Sequence, residues 1–227
     1  MSDESEIVPT PRTRLKRVAA RGSHDRDRIH AILDAGFICH AAFVIDGEPR
    51  VLPTVYARRG DALFLHGSSA NQMLRSMRDG GVPTAVCVTH VDGVVLARSA
   101  FHTSVNYRSV VVFGRAVEVP DPEEKRAAVR DIVEHVAPER WREVREPSLE
   151  ELRRTLVLRM PLDEASAKLR GGGPIDDEAD YALSCWAGHI PLHVMTGNAI
   201  PDPRLAPGVD LPPHLASYRP PDGRDRP

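Results

Sequence analysis

The apolar residues of this chain recur with two periods, and the period changes early. From Ser23 to Ala35 the spacing is helical: Ile29, Ile32 and Leu33 share one face, and Gly36 supplies a stop. The period then shortens to two. "FICHAAFVI", "RVLPTVYAR" and "ALFLH" read as three strands joined by "DGEP" and "RGD", Asp-Gly being a strong hairpin signal. Pro53 lies inside the second strand and is expected at an edge or a bulge, because it donates nothing to a ladder. "SSANQMLRSMRDGG" predicts a short helix with Met73, Leu74 and Met77 inward and Gly80-Gly81 as its end. "TAVCVTHV" and "VVLARSA", separated by Asp92-Gly93, read as a further hairpin. "SVNYRSVVVFGR" begins a long strand reaching about Val119.

The later half is more mixed. Asp121 as N-cap, Pro122 as first helical residue and Glu124 as a capping-box partner start a helix ending near Val136. "PSLEELRRT" predicts a short helix and "TLVLRMPL" a strand. Residues 165–195 combine a Gly-rich break with an apolar segment. About six hairpin-linked strands with few helices imply a mainly β chain, an antiparallel barrel with peripheral helices. Neither a βαβ rhythm nor GxGxxG is present, which argues against a dinucleotide fold of the doubly wound kind. The organisation expected is a mobile arm over residues 1–14, one domain over 15–200 and a Pro-rich tail over 201–227, lying on the surface or on a neighbouring subunit.

Composition narrows the function classes. A net charge of −2 gives no basic footprint for nucleic acid. No apolar run approaches about 18 residues, so no membrane span is expected, and the N-terminus lacks the apolar core of a signal peptide. Cys39, Cys87 and Cys185 are odd in number, never spaced CxxC and set in apolar stretches. They are expected as buried free thiols in a reducing, cytoplasmic compartment.

Three stretches carry candidate chemistry. In "FLHGSSANQM" a strand ends at His66, Gly67 turns the chain, and Ser68 and Ser69 precede a helix. They either cap that helix or join its free N–H groups around a phosphate. In "NYRS" strand alternation puts Asn106 and Arg108 on one face, and Tyr107 and Ser109 on the other. This is either a ligand rim or a strand end bonded to a loop. Near the Gly break, Lys168 and Arg170 are cationic, and Trp186 either stacks on a cofactor or belongs to a core. His189 and His193 have the spacing of a zinc helix, but Pro191 breaks that helix and no HExxH glutamate is present, so no metal is expected there. His40, His66, His90 and His102 are scattered along strands, and no spacing selects them for zinc or haem. His24 and His30 read as solvated.

"ALFLHGSSANQMLRSM", "FHTSVNYRSVVVFGRAVEV", "SAKLRGGGP" and "CWAGHIPL", in this order, resemble the FMN-binding split-barrel flavoproteins related to pyridoxamine 5′-phosphate oxidase, on the branch of the nitroimidazole-resistance proteins. The resemblance spans about residues 15–200. It implies a six-stranded antiparallel split β-barrel with flanking helices, and a homodimer with FMN at the subunit interface. On the matching positions, Ser68, Asn71 and Gln72 would cradle the phosphate, with Ser69 and His66 beside them. Leu52, Pro53 and Thr54 would line the flavin through their backbone. Asn106, Tyr107, Arg108 and Ser109 would face the cofactor, and Lys168 and Trp186 would close the site. Relatives often carry a basic residue where Gln72 stands, so modest FMN affinity is expected, with Arg108, Lys168 or the helix dipole neutralising the phosphate. The Arg/His motif that holds pyridoxal phosphate in the true oxidase has no counterpart, so vitamin B6 oxidation is not expected. The implied activity is reduction of a small electrophile through the flavin. No acid or base is identified, His66 and Tyr107 being the candidate proton donors. The rival is a carrier that holds FMN, haem or a deazaflavin without turnover.

Overall fold

A computed structural model of the chain describes residues 5–78 and 81–221. β1 (Gly22–Ser23) leads into α1 (Arg26–Asp34), which starts three residues later than expected. The Asp25 carboxylate sets that start by accepting the Arg28 N–H at 2.8 Å, and Ile29, Ile32 and Leu33 are buried as their spacing requires. β2 (Ile38–Ile45), β3 (Glu48–Arg59) and β4 (Ala62–Ser68) form the expected meander. α2 (Gln72–Met77) buries Met73, Leu74 and Met77. Of its expected Gly80-Gly81 end, residue 80 lies outside the described residues.

The Asp92-Gly93 hairpin is not formed. Thr84–Leu96 is one strand, β5. Its register against β6 (Ser104–Gly114) jumps from Val91↔Tyr107 to Gly93↔Asn106, which makes Asp92 the extra residue of a bulge. Two tertiary contacts explain why Asp-Gly does not turn. The Asp92 carboxylate is held by the Arg108 guanidinium at 3.0 Å. The missing side chain at Gly93 admits the Ile190 carbonyl, only 2.8 Å from where a Cβ would stand.

The long strand expected to reach Val119 breaks after Gly114: β7 (Val117–Glu118) is separate and pairs with β8 (Thr155–Pro161) rather than continuing beside β5, while α3 (Pro122–Val136), α4 (Leu149–Arg154) and β8 follow the expected order. The Asp121 carboxylate caps α3 through the Glu124 N–H at 2.8 Å, while the reciprocal capping box forms at α4, between Ser148 and Glu151. β9 (Ala165–Arg170) and β10 (Gly188–Pro191) are strands hidden in the mixed segment, and α5 (Pro213–Ala216) lies in the tail.

The strands form one ten-stranded sheet in the order β1-β9-β6-β5-β2-β3-β4-β8-β7, with β10 on β5. Every pairing is antiparallel. Cys39 of β2, Leu65 of β4, Val110 of β6, Leu158 of β8 and Ala167 of β9 meet in one core with α1 and α2, so the sheet curls around a shared interior. The fold is therefore mainly β, split-barrel-like, with flanking helices. α3 covers the outside of β3, β4 and β8, where Ala57, Phe64, Ala128, Ile132 and Val157 form a second core. Each large apolar side chain so buried contributes roughly 1.5–3 kcal/mol.

The described part of the N-terminal arm is docked rather than loose. Ile7 is 2% exposed, its N–H donates to the His24 carbonyl at 2.9 Å, and Arg12 pairs with Glu164. The tail is largely exposed, and the Tyr218 hydroxyl donates to the Val136 carbonyl at 2.8 Å. All three cysteines are free, but only Cys39 is buried, where desolvation pushes its thiol up to about 12. Cys87 is half-buried and Cys185 is exposed. Among the described residues no helix is long and apolar enough to cross a membrane.

Candidate functional site

The β3–β4 ladder is short. It runs from Tyr56↔Leu65 to Arg59↔Ala62 and stops. Before Tyr56, β3 is paired with β2; beyond Leu65, β4 is paired with β8, through His66↔Val157, Gly67↔Leu156 and Ser68↔Thr155. The two strands therefore part, leaving a wedge between Leu52-Pro53-Thr54 and His66-Gly67-Ser68. On that side the β3 backbone has no strand partner among the described residues, so its polar groups are available to a ligand. Pro53, with no N–H, sits there without cost to a ladder.

Alternation places His66 on the face of Phe64, beside α3, while Leu63 and Leu65 enter the main core. The His66 ring is half-buried, its Nδ1 is buried without a partner, and desolvation lowers its pKa. Its Nδ1 is uncommitted among the described residues. Gly67 is needed for close packing, since a Cβ would stand 2.9 Å from the Leu74 Cδ1.

Helix capping falls to Asn71, whose Oδ1 accepts the Leu74 N–H at 3.3 Å. The Ser68 hydroxyl accepts the Ala70 N–H at 3.2 Å, and the Ser69 N–H donates to the Arg154 carbonyl at 2.9 Å. With Met73, Leu74 and Met77 buried, Gln72 and Arg75 stand exposed one turn apart on the outer face of α2. Arg75 has no acidic partner among the described residues. Its i+3 relation to Gln72 was the available signal for a cation that the sequence reading did not single out.

The "NYRS" groups are held largely by the protein itself. Asn106 is 5% exposed; its Nδ2 donates to the Gly172 carbonyl at 3.0 Å and its Oδ1 accepts from Arg170 Nη1 at 2.5 Å. The Arg108 guanidinium reaches both Asp92 oxygens, through Nε at 3.0 Å and Nη2 at 3.0 Å. The Ser109 hydroxyl donates to the Lys168 carbonyl at 3.3 Å. Tyr107 and Lys168 are half-buried, with no hydrogen bond from phenol or ammonium among the described residues. Trp186 is 67% exposed and lies against Gly188, not in a core.

The predicted residues thus fall into two groups. Leu52, Pro53, Thr54, His66, Ser68, Ser69, Asn71 and Gln72 gather at the wedge, whereas Asn106–Ser109 and Lys168 lie on β6 and β9. β2 and β5 stand between β3 and β6. Three steps of about 4.8 Å separate the groups by about 14 Å along the sheet.

A third feature was passed over in the sequence. A cleft of about 260 Å³ opens between the end of β6, the turn after Arg170, and β10 with its extension. Asp92, Asn106, Arg170, His189, Leu192 and His193 are among its walls. The zinc-helix test on His189 and His193 assumed the wrong period. β10 is extended from Gly188 to Pro191, and His189 and His193 both reach the cleft.

The profile of the pyridoxamine 5′-phosphate oxidase family matches residues 25–169. Among solved structures, the flavocytochrome Anf3 from Azotobacter vinelandii is 36% identical with a TM-score of 0.88, over 93% of this chain and 98% of that one. An FAD- and haem-binding protein from Mycobacterium smegmatis is 36% identical with a TM-score of 0.82, over 86% of this chain and 95% of that one. A 5-nitroimidazole resistance candidate from Bacteroides thetaiotaomicron, 24% identical over 65% of this chain and 85% of that one, has a TM-score of 0.52 and bears on the fold. No curated protein sequence matches the chain.

Proposed function

Because the chain belongs to the pyridoxamine 5′-phosphate oxidase family, we propose that it is a flavin-binding oxidoreductase that carries haem as a second prosthetic group and works as a homodimer in the cytoplasm. The observation that carries the flavin is the wedge where β3 and β4 part. Its donor set fits: an open backbone edge at Leu52–Thr54, an uncommitted His66 nitrogen, the Ser69 hydroxyl, the Gln72 amide and the Arg75 guanidinium. FAD is preferred to the FMN that the resemblance implied. The Mycobacterium smegmatis relative is described as binding FAD, and Arg75, Lys168 and Arg170 lack carboxylate partners among the described residues, more cationic charge than one phosphate requires. Haem rests on that relative and on the flavocytochrome.

When bound, a flavin supplies hydride and single-electron chemistry, taking electrons from a donor and passing them to a small electrophile such as a nitroaromatic or a quinone. The chain's own part is to bind, orient and shield. The β3 edge would align the ring, Arg75 and Lys168 would hold the phosphates, and His66 or Tyr107 would hand on a proton. Two features support the dimer. The two groups of site residues stand too far apart within one chain, and a second copy would bring its β6–β9 group to the wedge. Ile38, Val44, Val51 and Val91 also leave the outer face of β2, β3 and β5 apolar and exposed. Three free thiols suit a reducing compartment.

The test is a visible spectrum of the purified protein, with mass analysis of the flavin released on denaturation. FAD and a band bleached by NADH or NADPH support the proposal. A colourless protein that takes up neither FAD nor FMN refutes it. A flavin band that no donor reduces would instead make the protein a carrier.

A further inference from the structure

The chain after β10 is held at both ends and little between. β10 lies on β5, from Gly188↔Leu96 to Pro191↔Gly93, and the Leu192 N–H donates to the Asp92 carbonyl at 3.1 Å. The chain returns to the body at α5, after which the Tyr218 hydroxyl donates to the Val136 carbonyl at 2.8 Å. Residues 192–211, between these anchors, are all exposed. Among the described residues the hydrogen bonds of 193–211 are local. The Arg204 N–H donates to Asp202 Oδ1 at 2.7 Å, the Leu205 N–H to the Asp202 carbonyl at 2.9 Å, and the Val209 N–H to the Ala206 carbonyl at 3.3 Å.

A strap so exposed should be polar, and this one is not. Val194, Met195, Ile200, Leu205, Val209 and Leu211 all face solvent, Ile200 being 92% exposed. Its charged residues are Asp202, Arg204 and Asp210, so a nucleic acid or an anionic lipid surface finds no basic patch on it. Pro201, Pro203 and Pro207 fix φ and keep the run extended, which lowers the entropy lost on docking. The strap lies beyond the family profile, which ends at residue 169. The match to the flavocytochrome, over 93% of this chain, leaves out fewer residues than the strap holds, so it takes in part of it.

The same chain carries a surface that matches the strap in chemistry. Ile38, Val44, Val51 and Val91 are exposed on the outer face of β2, β3 and β5, opposite the buried Cys39, Ala41 and Val86. The strap leaves the sheet beside Gly93, two residues from Val91, so the two apolar surfaces adjoin. Strap and face are exposed together, so within one chain neither covers the other. Fully extended, the run reaches about 60 Å, whereas three adjacent strands span about 10 Å, so it is long enough to cross such a face on another molecule.

We infer that residues 192–211 form a clasp that docks on a second copy of this chain, laying its apolar side chains across the outer face of that copy's β2, β3 and β5. Two-fold symmetry makes the exchange mutual. The inference rests on the homodimer of the function proposed above and deepens it to the segment and the face that join.

The experiment uses the full-length protein in two measurements. Sedimentation equilibrium compares wild type with the triple variant Met195→Asp, Ile200→Asp and Val209→Asp. Wild type should dimerise, and the variant should raise the dimer Kd at least about a hundredfold, since three apolar contacts become buried charges. Its far-UV circular dichroism should be unchanged, because these side chains are exposed in their own chain. Photo-crosslinking from a benzophenone amino acid in place of Ile200, in a mixture of isotope-labelled and unlabelled copies, should join one copy to the other within residues 38–59 or 84–96. A triple variant that dimerises like wild type, or cross-links that stay within one chain or map elsewhere on the second copy, overturns the clasp while the dimer stands. Wild type that is monomeric at every concentration removes the dimer and the clasp together. A wild-type monomer that binds phosphatidylcholine vesicles, with binding lost in the triple variant, gives the strap to a lipid surface and also overturns the inference.

Discussion

Arg108 looks like a phosphate ligand in the sequence and like a structural ion pair in the fold, and removing it separates the two. Arg108 and Asp92 side chains are each 16% exposed, and three guanidinium–carboxylate contacts of 3.0–3.3 Å join them. Breaking a buried pair by deleting one partner costs about 3–5 kcal/mol, because the other charge stays desolvated. The pair lies at a strand end, so the lower figure, about 3 kcal/mol, is expected for Arg108→Ala or Asp92→Ala. At about 2–4 °C per kcal/mol for a chain of this length, Tm should fall by about 6–12 °C. Urea denaturation of both single variants and the double variant would show a coupling energy of about 1–3 kcal/mol, with the double less damaged than the sum of the singles. Flavin affinity of the folded Arg108→Ala protein should stay within about twofold of wild type. Stability unchanged to within about 1 kcal/mol, as for solvated pairs, with flavin binding abolished, would refute the reasoning and return Arg108 to the ligand.

Three further outcomes follow from the geometry. Arg75→Ala should raise the flavin Kd about tenfold, the loss of one exposed charge-assisted contact, with Tm unchanged; calorimetric titration showing equal affinity would remove Arg75 from the site. Gly93→Ala sets a Cβ 2.8 Å from the Ile190 carbonyl, so overpacking of about 1–3 kcal/mol should loosen β10 and speed proteolysis within residues 183–211; an unchanged cleavage rate would count against that contact. Burial lowers the His66 pKa below its ordinary value of about 6.5, so the unfolded chain takes the proton first as pH falls. The stability His66 loses on acidification should begin near pH 6.5 and be absent in His66→Gln, and identical urea midpoints for both proteins across pH 8 to 5 would sink this.

Much of the fold was legible because its signals are local. The alternation in "FICHAAFVI" and "ALFLH", the Asp121-Pro122 helix start and the 3.6-residue spacing of Ile29, Ile32 and Leu33 need no distant partner, and all appear in the structure. The failures have distant causes. Asp92-Gly93 reads as a turn until Arg108, sixteen residues on, and Ile190 claim it as a bulge. β9 and β10 are short and weakly alternating, and exist because β6 and β5 offer them edges. His189 and His193 were tested against a helix because nothing local shows that their run is pinned to a sheet.

What the sequence determined by itself is the class of the molecule: an antiparallel, mainly β chain whose motif order places it in a flavoprotein family. Side-chain period and turn chemistry, both short-range, suffice for that. What only the tertiary structure decided is which groups are free to meet a ligand. Arg108 and Asn106 carry the right chemistry but spend it on Asp92, Arg170 and Gly172. Arg75, His189 and His193 keep theirs among the described residues, and the β3 edge opens because β3 before Tyr56 and β4 beyond Leu65 no longer pair with each other but stay paired with β2 and β8. Whether a polar group is spent or available depends on partners brought together by strand register, and register is a property of the whole sheet.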